Sequence, residues 1–123
     1  FEKDIDKEYW PYLYKGWGSL FSLEIPEEFV RAMHVEGYVP QEYKKYLYEG
    51  FGVGLSFKDI KQAVEIINRV SPAYRQYCYI GLGEQLGCGY KNDPRALSEM
   101  LRNIDSSYQR YVLDGIAEGK RER

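Results

Sequence analysis

Histidine occurs once in this chain of 123 residues and cysteine twice, which leaves little to build an active site or a metal centre from. Without a second histidine or a usable cysteine pair, neither a structural zinc site nor a Cys–His nucleophile is expected. No catalytic residue is assigned, and no cofactor or metal is expected. Net charge is only −2, which argues against a strongly electrostatic partner such as nucleic acid. No apolar run approaches the roughly 18 residues of a membrane span, so no membrane insertion is expected. Nothing resembles a signal peptide, and the chain starts at Phe1 rather than at Met, as a trimmed or processed chain would. The end at Lys120–Arg123 could equally be a cut through something longer. The expectation is a soluble protein, cytoplasmic or else periplasmic or secreted after processing, with the compartment otherwise unread.

What the chain has in abundance is tyrosine and glycine, 13 and 12 residues, and they recur in register. Tyr9, Tyr12, Tyr14, Gly16 and Gly18 are followed by Tyr43, Tyr46, Tyr48, Gly50 and Gly52, and then by Tyr74, Tyr77, Tyr79, Gly81 and Gly83. A decayed copy reads Tyr108, Tyr111, Leu113, Gly115 and Ala117, and first tyrosines are 34, 31 and 34 residues apart. A period in that range marks an array of supersecondary units, each burying its apolar face on its neighbours.

The block around Leu47–Phe57 alternates apolar residues with glycine and tyrosine, as a strand would. Comparing copies decides for a helix. With the first tyrosine as slot zero, the slots that are large and apolar in every copy include three, four (Leu13, Leu47, Cys78, Val112) and eight (Trp17, Phe51, Leu82, Ile116). Slot seven is always glycine, and the set is the i, i+3, i+4, i+7, i+8 stripe of a helix. Pro40, Ser71-Pro72 and Asp105-Ser106-Ser107 precede the blocks as caps and first-turn prolines. These A helices are expected near residues 7–22, 41–55, 72–88 and 107–120. Amphipathic B helices fall between them, from Pro26 to about Glu36, after Asp59 through Ile60, Ala63, Val64 and Ile67, and after Asp93-Pro94 through Leu97, Met100 and Leu101. His34 shares a B-helix slot with Glu65 and Glu99 and reads as a solvated surface residue.

The expected fold is all-α, an α-α superhelix or solenoid of about three helical hairpins plus a C-terminal capping helix, forming one domain over residues 1–123. Its units are residues 7–39, 40–70 and 71–105, with the cap helix at 106–120. Cys78 and Cys88 occupy apolar slots, and ten residues of one helix would hold them roughly 15 Å apart, too far for a disulfide. They are expected as buried free thiols.

Slots five and nine point nearly opposite slots zero, three, four, seven and eight, so helix A is patterned on two faces. Seven glycines at slots seven and nine forfeit on the order of 7 kcal/mol of helix propensity. Close helix-to-helix approach, with tyrosine rings lying in the flattened surface, is the offset the pattern suggests. The Gly50-x-Gly52-x-Gly54 run lacks the strand-to-helix context and the Lys-Ser/Thr of a phosphate loop. Slots one and two carry Lys44, Lys45, Arg75 and Arg110 with Gln76 and Gln109 between them. They would line up as a basic stripe near successive helix N-termini, or else form a solvated face neutralised by Glu42 and Asp105.

Helical hairpins at this spacing, with Tyr77 four before Gly81 and Pro40 and Pro72 opening units, resemble the tetratricopeptide repeat superfamily over nearly the whole chain. Ile80 fits that family's leucine before the helix A glycine, while Lys15, Glu49 and Asp114 depart from it, and the second unit is three residues short. The resemblance implies a non-catalytic, protein-binding scaffold with a concave wall of A helices. The expected contacts to a protein or peptide partner, an acidic one if the basic stripe is used, are the slot-five residues Tyr14, Tyr48 and Tyr79 with Lys44, Lys45, Arg75 and Arg110. The alternative is a small-molecule or carbohydrate domain with a tyrosine-lined cleft, an accessory module of a larger protein. Self-association through an uncapped end is a third expectation.

Overall fold

In the computed structural model every element is helical, and residues 7–24, 40–56, 59–90 and 92–121 are described. Among the described residues six α-helices run as α1 (Trp10–Glu24), α2 (Lys44–Leu55), α3 (Ile60–Ile67), α4 (Pro72–Gly89), α5 (Pro94–Leu101) and α6 (Ser106–Arg121). Short 3₁₀ turns at Lys7–Tyr9 and Gln41–Tyr43 lead into α1 and α2. No strand occurs among the described residues, so the all-α expectation holds. The expected first B helix and His34 lie outside the described residues.

The local signals act as anticipated, with one exception. Asp59 caps α3 by accepting from the Lys61 N–H at 3.2 Å, and Asp93 caps α5 by accepting from that of Ala96 at 3.1 Å, with Pro94 just inside the helix. Asp105 accepts from the Ser107 N–H at 2.9 Å and from its hydroxyl at 2.8 Å. Ser71 stands ahead of Pro72, but its side chain makes no capping bond. Proline at the first helical position already removes one of the orphan N–H groups a cap would serve.

The four long helices α1, α2, α4 and α6 pack in chain order, each on the next, while the two short helices α3 and α5 return the chain between them. Neighbours run parallel. Along α4 and α6, Gly83 faces Val112 and Gly87 faces Ile116, while Gly115 faces Ile80 and Gly119 faces Cys88, so the contacts advance together. One apolar core joins Leu47, Phe51 and Leu55 of α2 to Cys78, Leu82 and Leu86 of α4 and Val112 and Ile116 of α6. Ile67, Leu97 and Ile104 close it from the side of the short helices.

Glycine sets the spacing of the row. A Cβ on Gly50 would run into the Lys15 backbone, lying 2.8 Å from its Cα, and one on Gly52 would lie 2.9 Å from the Leu82 nitrogen. Slot-nine glycines (Gly18, Gly52, Gly83) meet the following helix, and slot-seven glycines (Gly50, Gly81, Gly115) meet the preceding one. In all six the atom nearest the position a Cβ would take is a backbone carbonyl oxygen. The glycine hydrogen occupying that position therefore points at the oxygen, a weak Cα–H···O contact worth roughly 0.5–1 kcal/mol. That is about the size of the propensity each glycine gives up.

Candidate functional site

Three features of the long-helix row bear on function: a ladder of paired tyrosines, a charged cluster spanning three helices, and the outer side of α1. The ladder comes first because it decides the fate of the expected aromatic contacts. Tyr14 stacks on Tyr43 at 5.1 Å between ring centroids, Tyr48 on Tyr74 at 4.6 Å and Tyr79 on Tyr108 at 4.8 Å. In each case the slot-five ring of one helix lies on the slot-zero ring of the next. Tyr14, Tyr48 and Tyr79 keep only 6, 2 and 0 % of their surface exposed. This corrects the expectation that these rings offer themselves to a partner, since the ladder already uses them. The cause is the slot-nine glycine four residues on, on the same face: a side of the helix pressed against a neighbouring backbone cannot also face water. Burial pushes the Tyr79 phenol up to about 12 and raises that of Tyr48 as well.

The slot-one side chains also turn inward. Arg75 donates from Nε to the Val70 carbonyl at 2.8 Å and from Nη2 to that of Asn68 at 2.7 Å, closing the end of α3. Gln109 does the same for α5, donating from Nε2 to Leu101 O at 3.1 Å and Ile104 O at 3.0 Å. Arg75 is thus a helix cap, where the expectation had it as an anion contact. Lys44 lies 5.8 Å from the Tyr74 ring centroid, Lys45 5.1 Å from that of Tyr46 and Arg110 5.3 Å from that of Tyr111. Lys45 and Arg110, both in slot two, remain exposed.

The charged cluster is a feature that sequence reading missed. From α1, Lys15 Nζ reaches Glu49 Oε1 of α2 at 3.1 Å and Glu84 Oε2 of α4 at 2.6 Å. Glu84 is nearly enclosed, its side chain 8 % exposed. Burial, then a hydrogen bond shared with Glu49, lifts its carboxyl to about 8, with Lys15 pulling the other way. Burial also works against the Lys15 ammonium, but bonding to Glu84 and the two acidic charges outweigh it and hold the group above its ordinary value. A carboxylic acid poised near neutrality could in principle exchange a proton with a ligand. None of the three residues, however, lines the two clefts beside Ser56, Leu86 and Tyr90.

One of these, about 250 Å³, lies at the far end of the core between Ser56, Ile60, Leu82, Leu86, Tyr90 and Met100. Tyr90 is its single tyrosine. The three stacked pairs of slot-five and slot-zero rings leave no room for a ligand between their faces.

The outer side of α1 is different in kind. Tyr9 and Tyr12 are 54 % and 74 % exposed, and Leu20 is exposed beside them. A Cβ on Gly16 would meet nothing within 4 Å. The counterparts of Tyr9 and Gly16 in α2, α4 and α6 receive the preceding helix. At the other end of the row, Leu113 and Ala117 of α6 stand exposed at slots five and nine, flanked by exposed Asp114 and Glu118. Cys78 is buried and Cys88 half-buried, and neither is in a disulfide. No group of acidic, histidine or cysteine side chains suited to a metal ion occurs among the described residues, and none of their helices is long and apolar enough to cross a membrane. Comparison with protein-family models, with curated proteins and with solved structures finds no match.

Proposed function

We propose that this chain is a non-catalytic α-solenoid scaffold that binds a protein partner through the outer side of α1. The observation that carries the reading is the open helix surface of Tyr9, Tyr12, Gly16 and Leu20, in which the counterparts of Tyr9 and Gly16 in the later helices receive a neighbour. Exposed contiguous apolar surface of this kind is typical of interaction sites, and exposed tyrosine is the residue type that gains most when a partner covers it. The buried slot-five tyrosines and the capping Arg75 drop out of the expected contact set. Lys45, on neighbouring α2, remains an outward-facing cation available to an acidic flank of the partner, whereas Arg110 lies on α6 at the other end of the row.

The test places a photo-crosslinking amino acid at position 12 in the intact chain and a second at exposed Glu99 as a control, in cells that make the protein. A defined partner captured at position 12 but not at 99, and bound in titration by the purified chain but not by a folded Gly16→Leu variant, is the expected result. Equal labelling at both positions, or binding indifferent to Gly16→Leu, would remove α1 as the contact surface.

A further inference from the structure

The open side of α1 also specifies what kind of element fits it. Each internal joint of the row has a giving half and a receiving half. The giver supplies a slot-five tyrosine and a slot-nine glycine, four residues apart on one helical face: Tyr14 and Gly18, Tyr48 and Gly52, Tyr79 and Gly83. The receiver supplies a slot-zero tyrosine for the ring stack and a slot-seven glycine for the backbone approach: Tyr43 and Gly50, Tyr74 and Gly81, Tyr108 and Gly115. On α1 the receiving half is complete, with Tyr9 and Gly16 in their slots and nothing against the glycine.

The outer side of α6 is not its complement. There the giving slots hold Leu113 and Ala117. At slot nine of every internal joint a Cβ would overlap the facing carbonyl of the next helix, as it would at Gly18, Gly52 and Gly83. Ala117 carries that Cβ, so a second copy cannot seat its α6 on α1 in the register the row uses. Head-to-tail self-association, the third expectation from the sequence, is disfavoured by a single methyl group.

Resting on the reading of α1 as the contact surface, we infer that its occupant is a helix bearing Tyr-x-x-x-Gly, docked parallel to α1 with its tyrosine on Tyr9 and its glycine over the α1 backbone. This continues the interface already made three times within the chain, with the same chemistry on both sides.

The probe is a fluorescein-labelled peptide of residues 41–56, which carries Tyr48 and Gly52, stapled as a helix across positions 46 and 50 on the face turned away from them. Its binding to the full chain is followed by anisotropy. Saturable binding is expected, weakened tenfold or more by Gly52→Leu in the peptide and likewise by Gly16→Leu in the protein, whose circular dichroism should be unchanged because position 16 has open space. Binding that tolerates Gly52→Leu but not Gly16→Leu overturns the Tyr-x-x-x-Gly partner and leaves α1 as the contact surface. Binding that tolerates Gly16→Leu, absence of saturable binding, or a chain that dimerises and thereby blocks the peptide each overturns the inference.

Discussion

Placing alanine at the same repeat slot in two successive units should move stability in opposite directions. Gly16 and Gly50 both occupy slot seven of a long helix. A methyl group at position 16 meets nothing within 4 Å, whereas at position 50 it would overlap the Lys15 backbone, with the carbonyl carbon 2.5 Å and the Cα 2.8 Å away. Alanine is the better helix former by about 1 kcal/mol at an interior site, so Gly16→Ala should raise the unfolding free energy by about that amount. Gly50→Ala gains the same propensity but must push two backbones apart, because the obstruction is main chain and cannot rotate away. Overpacking of this kind costs about 1–3 kcal/mol, and separation also gives up the Cα–H···O contact and the dispersion of the whole α1–α2 joint. The net expectation is a loss of about 2 kcal/mol, so the two variants should differ by about 3 kcal/mol in urea unfolding monitored by circular dichroism. In thermal unfolding that gap corresponds to a separation of roughly 10 °C. A Gly50→Ala protein as stable as the parent, or a Gly16→Ala protein clearly weaker than it, would refute the account of how glycine spaces the row.

Other perturbations follow from the same geometry. Glu84 holds its proton more tightly folded than unfolded, about 8 against an ordinary 4.5, so the stability it contributes is fully present below pH 4.5 and is lost as pH rises through 8. Urea unfolding should show a fall of a few kcal/mol, about 5 at most, over that window, and Glu84→Gln should flatten it; an unchanged slope would sink the assignment. Tyr108→Ala removes a half-buried ring stacked on Tyr79 and should cost about 2–3 kcal/mol, while Tyr9→Ala at the equivalent but unstacked position should stay within about 0.5 kcal/mol; equal costs would contradict the ladder. Replacing Arg75 by methionine strands the part-buried Val70 carbonyl and hands the exposed Asn68 carbonyl to water; it should cost about 1 kcal/mol, read by the same unfolding measurement. An aromatic disulfide reagent should titrate at most one thiol of the native protein, Cys88, because Cys78 is fully enclosed and burial raises its pKa; two fast-reacting thiols would show that core position to be open.

The helices were legible because periodicity is a property of one strand of sequence at a time. Slots three, four and eight repeat as apolar in every copy, and α2, α4 and α6 begin within about three residues of where those slots and the preceding Pro40, Pro72 and Asp105 put them. Close approach was legible too, since glycine at slots seven and nine had to be offset by something. What could not be read so directly was which side chains share a glycine's face with a neighbour. Tyr48 lies opposite the core stripe and, in one helix alone, looks like a surface ring. The signal was its offset from Gly52: a residue four positions before a glycine pressed on a backbone is on the pressed face. Arg75 and Gln109 likewise stand five residues after Val70 and Ile104, the residues that end the turns after α3 and α5. A fixed offset of a long donor from a preceding helix end marks a cap more specifically than it marks a basic stripe.

The charged cluster shows how the spacing creates chemistry that no single slot announces. Lys15 and Glu49 hold slot six of successive units, and Glu84 holds slot ten, where the earlier copies have Ser19 and Val53. Ordinary helix packing at 8–10 Å would set α1 and α4 too far apart for one lysine to touch both α2 and α4. Glycine at both sides of each joint draws the backbones together, and Lys15 then reaches across α2 to Glu84 while pairing with Glu49 on the way. Taking these groups from water costs more than an equivalent apolar contact would, so their return must be sought elsewhere than in stability. A slip of α2 by one turn would still let glycine and apolar slots find partners, because they recur along the helix; it would carry Glu49 about 5.4 Å away, breaking its pair with Lys15 and the hydrogen bond it shares with Glu84. In a row whose interfaces are nearly interchangeable, a three-helix ion cluster distinguishes the correct register from its neighbours.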